Sequence, residues 1–204
     1  EVVVDLDKLG TETYTKGTDA LVAGIMEYMQ KKGYATGGFD AYVSTKVIAA
    51  AGVSSSASFE MLICSMMNYF FNDGKMTCAD YAKIGQYAEN NFWDKVDQMA
   101  CAVGGPIQLD FSDDVKYEKV DFDFARFGYD LVIVNIGKGH ADLSRVYSEI
   151  PEEMKAVAKV LGGEWLADCS YEQLLDHYAE VQKTVGNDRA ILRALHYFEE
   201  NARV

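Results

Sequence analysis

Two groups of residues in this chain have the types and spacing to do chemistry. The first is Gly52-Val53-Ser54-Ser55-Ser56-Ala57-Ser58, a run of small hydroxyl residues followed at once by an apolar stretch. Where such a loop opens a helix, several backbone N–H groups and the positive end of the helix dipole converge on one spot, which suits a phosphate chain. The hydroxyl of Ser56 is also of a kind that ligates Mg2+. A serine-rich helix cap with no ligand has the same composition, and no Gly-Lys-Ser/Thr of a Walker loop follows. The second group is acidic. Glu89 in Tyr87-Ala88-Glu89-Asn90-Asn91-Phe92 and Asp97 in Asp97-Gln98-Met99-Ala100-Cys101-Ala102-Val103-Gly104-Gly105 both stand in apolar neighbourhoods. One such carboxylate could hold a metal while the other orients or deprotonates a substrate hydroxyl. A carboxylate heading a helix also serves simply as its N-cap.

These groups need elements to position them. Leu21, Ile25, Met26 and Met29 recur at helical spacing, and Lys31-Lys32-Gly33 ends that helix with cations and a glycine. Phe39–Ser44 alternates apolar and polar residues, as a half-buried strand does. After the serines, Phe59, Leu62, Ile63, Met66, Met67 and Phe70 predict a helix from about Ser58 to Phe71, closed by the turn Asn72-Asp73-Gly74. Thr77 caps a further helix through Tyr81, Ile84, Tyr87 and Ala88, with Asp80 in its first turn. Beyond Gly104-Gly105-Pro106 the pattern turns to strands at Ile107–Phe111, Val115–Phe122 and the apolar Leu131–Val134. Helices then follow at Glu152–Leu161, Tyr171–Val185 and Asp188–Asn201. Strands and helices mixed without regular βαβ alternation predict an α+β fold.

The 204 residues are 49% hydrophobic and 25% charged, enough to bury a core. A net charge of −13 argues against nucleic acid or an anionic membrane as a partner. Cys64, Cys78, Cys101 and Cys169 form no C-x-x-C pair and read as free thiols of a reducing compartment. The opening Glu1-Val2-Val3-Val4-Asp5 reads as a strand rather than a signal peptide, and no apolar run is long enough for a membrane helix. A cytoplasmic protein is therefore expected. His177 and His196 offer no metal-ligand spacing, and His140, after two glycines, reads as a loop histidine that either reaches a ligand or is simply solvated.

The order and wording of the strings go further. Gly52-Val53-Ser54-Ser55-Ser56-Ala57-Ser58-Phe59-Glu60, then Ala82-Lys83-Ile84-Gly85-Gln86-Tyr87-Ala88-Glu89-Asn90, then Asp97 to Gly105 resemble the galactokinase family of GHMP small-molecule kinases. The resemblance runs from about Thr18 onward, through Asn135–Leu143 and Tyr147-Ser148-Glu149-Ile150-Pro151. It implies an α+β, GHMP-kinase-like fold: a ribosomal protein S5 domain 2-like part over residues 1–127, carrying the ATP-binding region, then the start of a C-terminal α+β part over 128–204. It implies ATP-dependent phosphorylation of the anomeric hydroxyl of galactose, with ATP and Mg2+ as cofactors. Gly52, Val53, Ser54, Ser55, Ser56, Ala57 and Ser58 would wrap the ATP phosphates, and Ser56 and Glu89 would be the Mg2+ ligands. Asp97 would be the catalytic carboxylate facing the sugar, and Tyr147 a sugar contact. A monomer binding galactose and ATP, with neither nucleic acid nor membrane, is the expected species.

The sequence also departs from that family. Ala50 stands where a glycine is usual, Val53 replaces a leucine, and Ile136 and Val146 replace polar residues. Only Val96 separates Lys95 from Asp97, where the family carries a longer, glycine-containing loop. The family's N-terminal sugar-binding segment and its third, glycine-rich motif have no counterpart between Glu1 and Val204, so an incomplete or impaired kinase is expected of these residues. The short link and Ala50 suit an alternative, a non-catalytic sensor of sugar and nucleotide that signals to a protein partner.

Overall fold

A computed structural model of the chain describes residues 1–11, 13–15, 17–48, 52–89, 96–110, 116–134 and 144–203, and of Val96, Ser144, Arg145 and Tyr147 it describes the backbone alone. Two compact units result, Glu1–Gly139 and His140–Val204.

The first unit is built on four helices: α1 (Gly17–Lys31), α2 (Ser55–Phe71), α3 (Cys78–Ala88) and α4 (Val96–Val103). Helix α1 buries Val22, Ala23, Ile25, Met26 and Met29 along one stripe, with Asp19 in its first turn and Lys31 in its last, each favourable to the dipole. Helix α3 starts at the expected cap. The Thr77 hydroxyl accepts from the Asp80 N–H at 3.2 Å, and the Asp80 carboxylate accepts from the Thr77 N–H at 2.8 Å, a reciprocal capping box. Ile25, Met26 and Met29 of α1 meet Met61, Cys64 and Met67 of α2 and Ile84 and Ala88 of α3 in one core. The helices α1 and α3 pass very close at Gly24, where a Cβ would sit 2.8 Å from the Ala88 Cα.

Helix α2 differs from its expected form in two ways. It begins at Ser55, so most of the serine run lies in its first turn. Its buried stripe is Ala57, Glu60, Met61, Ile63, Cys64, Met67 and Asn68, whereas Leu62 and Phe70 are 42% and 65% exposed. The polar residue Asn68 earns its interior position by donating to the Met76 carbonyl and accepting from the Met76 N–H at 3.0 Å.

Strands β1 (Ile107–Asp110) and β2 (Lys116–Lys119) pair antiparallel, with Leu109 opposite Tyr117. The other expected strands are not formed. Val2–Val4, Phe39–Ser44 and Leu131–Val134 carry no strand, Tyr42 is 95% exposed, and Leu131 to Val134 lie mostly in the open. Alternation tells which side of a strand is apolar but supplies no partner for its N–H and C=O groups, and among the described residues only β1 and β2 are paired.

The second unit is helical: α5 (Ser144–Val160), α6 (Tyr171–Asp176), α7 (Tyr178–Val185) and α8 (Asp188–Asn201). Val157, Leu174, Val181, Ile191 and Ala194 form its core. The expected helix at Glu152 starts earlier, at Ser144, and runs through Pro151, which costs one intrahelical bond to the Tyr147 carbonyl. The expected helix Tyr171–Val185 is broken at His177 into α6 and α7. No helix among the described residues is long and apolar enough to cross a membrane.

Candidate active site

The serine run and the two acidic residues all belong to the first unit. Ahead of α2 the backbone turns left-handed twice, at Gly52 with φ 73° and at Ser54 with φ 55°. Glycine adopts that conformation freely; for a serine it is strained, and such strain collects at ligand-binding turns. Ser54 makes no side-chain cap, and the first α2 turn closes with the Ser58 N–H donating to the Ser54 carbonyl at 3.0 Å. The N–H groups of Ser55, Ser56 and Ala57 precede that bond and have no intrahelical acceptor. Ser56 and Ser58 are exposed, Val53 to Ser55 are half-buried, and Ala57 packs its methyl into the interior, leaving its N–H as the group it can offer.

One helical turn beyond Ser56 lies Glu60, fully buried. Residues four apart share a helix face, so Glu60 continues the line of Ser56 inward. Its carboxylate Oε2 accepts from Gln98 Nε2 of α4 at 3.3 Å, and the same nitrogen donates to Glu89 Oε2 at 3.2 Å. Glu89, the cap residue at the end of α3, is thereby brought beside α2 and α4. Asp97 precedes Gln98 on α4 and is exposed, while Gln98 is 1% exposed. Burial pushes the Glu60 carboxyl up to about 9, Glu89 and Asp97 add to that shift, and the Gln98 hydrogen bond opposes it. The thiol of Cys101 is likewise raised, by burial first and then by Asp97 and Glu60. The structure thus gathers Glu89 and Gln98 about Glu60, one helical turn beyond Ser56, with Asp97 near enough for its charge to act on Glu60.

Glu60 Oε1 and Gln98 Oε1 are buried without a hydrogen-bond partner among the described residues. No group of three or more His, Cys, Asp or Glu among those residues could hold a metal unaided. The donor set still fits Mg2+, which uses one or two protein oxygens and completes its shell with phosphates and water. A hydroxyl, a carboxylate and orphaned buried oxygens nearby are of that kind.

The remaining sequence candidate, Tyr147, has its backbone in α5 of the second unit, and its side chain lies outside the described residues, as do Ala50 and the link 90–95. Sequence reasoning assigned no role to Glu60 or Gln98. The signal available was a charged residue at helical spacing from Ser56 within an apolar run. Elsewhere in the first unit, a cavity of about 330 Å³ is lined by Thr11, Tyr14, Glu27 and Tyr87 among others. There Lys31 Nζ donates to Glu27 at 2.5 Å and to the Tyr87 hydroxyl at 2.7 Å, tying α1 to α3.

Comparison with known proteins bears on this arrangement. Residues 20–105 match the model of the GHMP kinases N terminal domain. The chain is 32% identical to a galactokinase of Clostridium tetani over 89% of its own length and 47% of that protein. It is 30% identical to a galactokinase of Actinobacillus pleuropneumoniae over 90% of its length and 48% of that protein. A galactokinase of Lactiplantibacillus plantarum is 31% identical over 88% of this chain and 48% of its own. The chain spans about half the length of the curated relatives it matches. The matched region runs from within α1 through α4 and includes every residue of the serine turn and carboxyl cluster, so residues 20–105 resemble a GHMP kinase N-terminal domain and the chain is similar to about half of a galactokinase.

Proposed function

We propose that this chain is the part of a galactokinase that holds ATP and the catalytic carboxylate, transferring the γ-phosphoryl group to the anomeric hydroxyl of galactose. The supporting observation is the convergence of Glu89, Gln98 and Asp97 about Glu60, one helical turn beyond Ser56 on α2. In this reading the N–H groups from Gly52 to Ser58 bind the phosphate chain. Ser56 and Glu89 hold Mg2+, which neutralises charge on the phosphates when bound. Asp97, exposed on the first turn of α4, orients the sugar hydroxyl and takes its proton late in transfer. Phosphoryl transfer runs through a loose transition state that needs positioning more than a strong base, so an ordinary carboxylate suffices. Tyr147 contacts the sugar. We place the protein in the cytoplasm as a monomer, with 1–127 as the nucleotide-binding part and 128–204 as the start of the second.

Calorimetry of ATP with and without Mg2+, alongside an assay of galactose 1-phosphate, tests the reading. ATP should bind more tightly with Mg2+ by roughly tenfold, equivalent to about 1.4 kcal/mol. Ser56→Ala or Glu89→Ala should remove mainly that difference. Equal affinity with and without Mg2+ in the unsubstituted chain would sink it. Mg2+-dependent binding with no sugar phosphate formed would point to the sensor instead.

A further inference from the structure

We propose that Gln98 is a positioning residue: with Glu60 as its buried anchor, it holds the Glu89 carboxylate in one orientation and fixes Asp97 relative to it. This rests on the reading above, in which Glu89 meets the cation. Gln98 is almost wholly enclosed, and its single Nε2 reaches both Glu60 Oε2 at 3.3 Å and Glu89 Oε2 at 3.2 Å. The Glu89 oxygen takes its hydrogen from the NH2 end of that amide, the only end that donates. Helix α3 leaves room for the arrangement. A Cβ on Gly85 would come within 2.6 Å of Glu60 Oε2 and 2.9 Å of Gln98 Cγ. Helices α2, α3 and the start of α4 therefore meet on one clamp, to which each brings a polar side chain.

Stability does not explain this clamp. It leaves Glu60 Oε1 and Gln98 Oε1 buried and unsatisfied among the described residues, a cost that apolar side chains of similar volume would avoid. What the polar pair does supply is a fixed direction for Glu89. It also locks the rotation of α4, and Asp97 is the preceding residue on that helix, on its exposed side. One side chain thus sets both acids that the proposed reaction uses.

The test uses the whole 204-residue chain with Gln98→Met, Glu89→Gln and the double variant. Gln98→Met keeps the volume and removes the donor. In urea denaturation without nucleotide, the midpoint shift of the double variant should be clearly smaller than the sum of the single shifts. In calorimetry, Gln98→Met should weaken ATP binding about tenfold in Mg2+, with the Mg2+-free affinity within about twofold of the parent. A residue acting only through packing would change both affinities together. Additive midpoint shifts overturn the clamp whether or not nucleotide binds. An unaltered Mg2+ dependence in Gln98→Met overturns its positioning role. Coupled midpoints in a parent chain that binds ATP equally with and without Mg2+ would instead keep the clamp and remove the kinase reading. Should Gln98→Met fail to fold, Glu60→Met, which takes away the anchor and one orphaned oxygen, carries the calorimetric measurement: a loss of affinity confined to Mg2+ supports the positioning role, and an unaltered Mg2+ dependence overturns it.

Discussion

Each unit contains a glutamate on the inner face of a 17-residue helix, and the two are treated in opposite ways. Glu153 of α5 is ringed by donors. It accepts from Asn187 Nδ2 at 3.0 Å and from Arg189 Nε at 2.9 Å, and Arg193 Nη1 lies 2.9 Å from its other oxygen. The Arg189 guanidinium holds the Glu153 carboxyl below its ordinary value against the opposing effect of burial. Glu60 of α2 has no cation against it among the described residues; its neighbours are a glutamine, Glu89 and, further off, Asp97. The first acid staples α5 to α8 and is explained by that alone. The second is carried at a cost, and the cost lies beside the residues proposed for catalysis. Buried charge paired with cations reads as architecture; a buried acid packed against other acids reads as a site.

The comparison breaks most readily at Gly85, where a methyl group would meet Glu60 Oε2, Gln98 Cγ and Met61 Cε within 2.9 Å. Something must shift, and the atoms concerned are enclosed. Gly85→Ala is expected to lose about 2 kcal/mol in urea denaturation, overpacking of up to about 3 being offset by about 1 from the better helix former. Parent-like stability would mean that the three helices do not close on the clamp as described.

Replacing each glutamate by methionine sharpens the contrast. Glu153→Met strands Arg193, which is mostly enclosed, and removes the charged partner of Arg189. A loss of about 1.5–2 kcal/mol is expected, the low end of the range for hydrogen bonds to charged groups, because Arg189 is half exposed. Glu60→Met removes an unsatisfied buried oxygen and leaves Gln98 bonded to Glu89, so the fold should be no less stable than the parent within about 0.5 kcal/mol. Equal destabilisation by the two changes would erase the distinction between staple and site.

What could be read from the sequence divides along the same line, local against distant. The Thr77 cap of α3, with Asp80 in its first turn, was legible because the two are three residues apart and their chemistry is specific. The passage from the serine run into an apolar helix was legible too, although the helix begins at Ser55 rather than near Ser58. The face of α2 was not. That helix is apolar nearly all round, so periodicity could not choose between the stripe through Leu62 and Phe70 and the one through Glu60 and Asn68. The Gln98–Glu60 contact joins residues 38 apart in sequence, and no local pattern encodes it. The unpaired extended segments failed for a related reason, since a strand is defined by a partner that its own residues do not name.

The smallest effect concerns acid. The Glu153 carboxyl is lowered from its ordinary value of 4.5 by Arg189 first, with Asn187 and Arg193 contributing. For a group whose folded value is depressed, the unfolded chain binds the proton first as pH falls, so stability declines. The contribution is whole above about pH 4.5 and is lost as the pH drops through the lower folded value. Glu153→Gln, which cannot titrate, should therefore be less stable than the parent at pH 7, with a gap that narrows on acidification to about pH 3. Because Arg189 is half exposed, added salt should shrink the pH 7 gap as well, screening that partner more than the enclosed Arg193. Glu60→Met has no such acid limb to lose, since nothing draws Glu60 below its ordinary value except the single hydrogen bond from Gln98, and burial overrides that. Denaturation midpoints of the three proteins at pH 7 and near pH 3 decide the matter. A gap between parent and Glu153→Gln that stays constant across that range would show that Glu153 is held by shape rather than by its charge, and would put the two glutamates on the same footing.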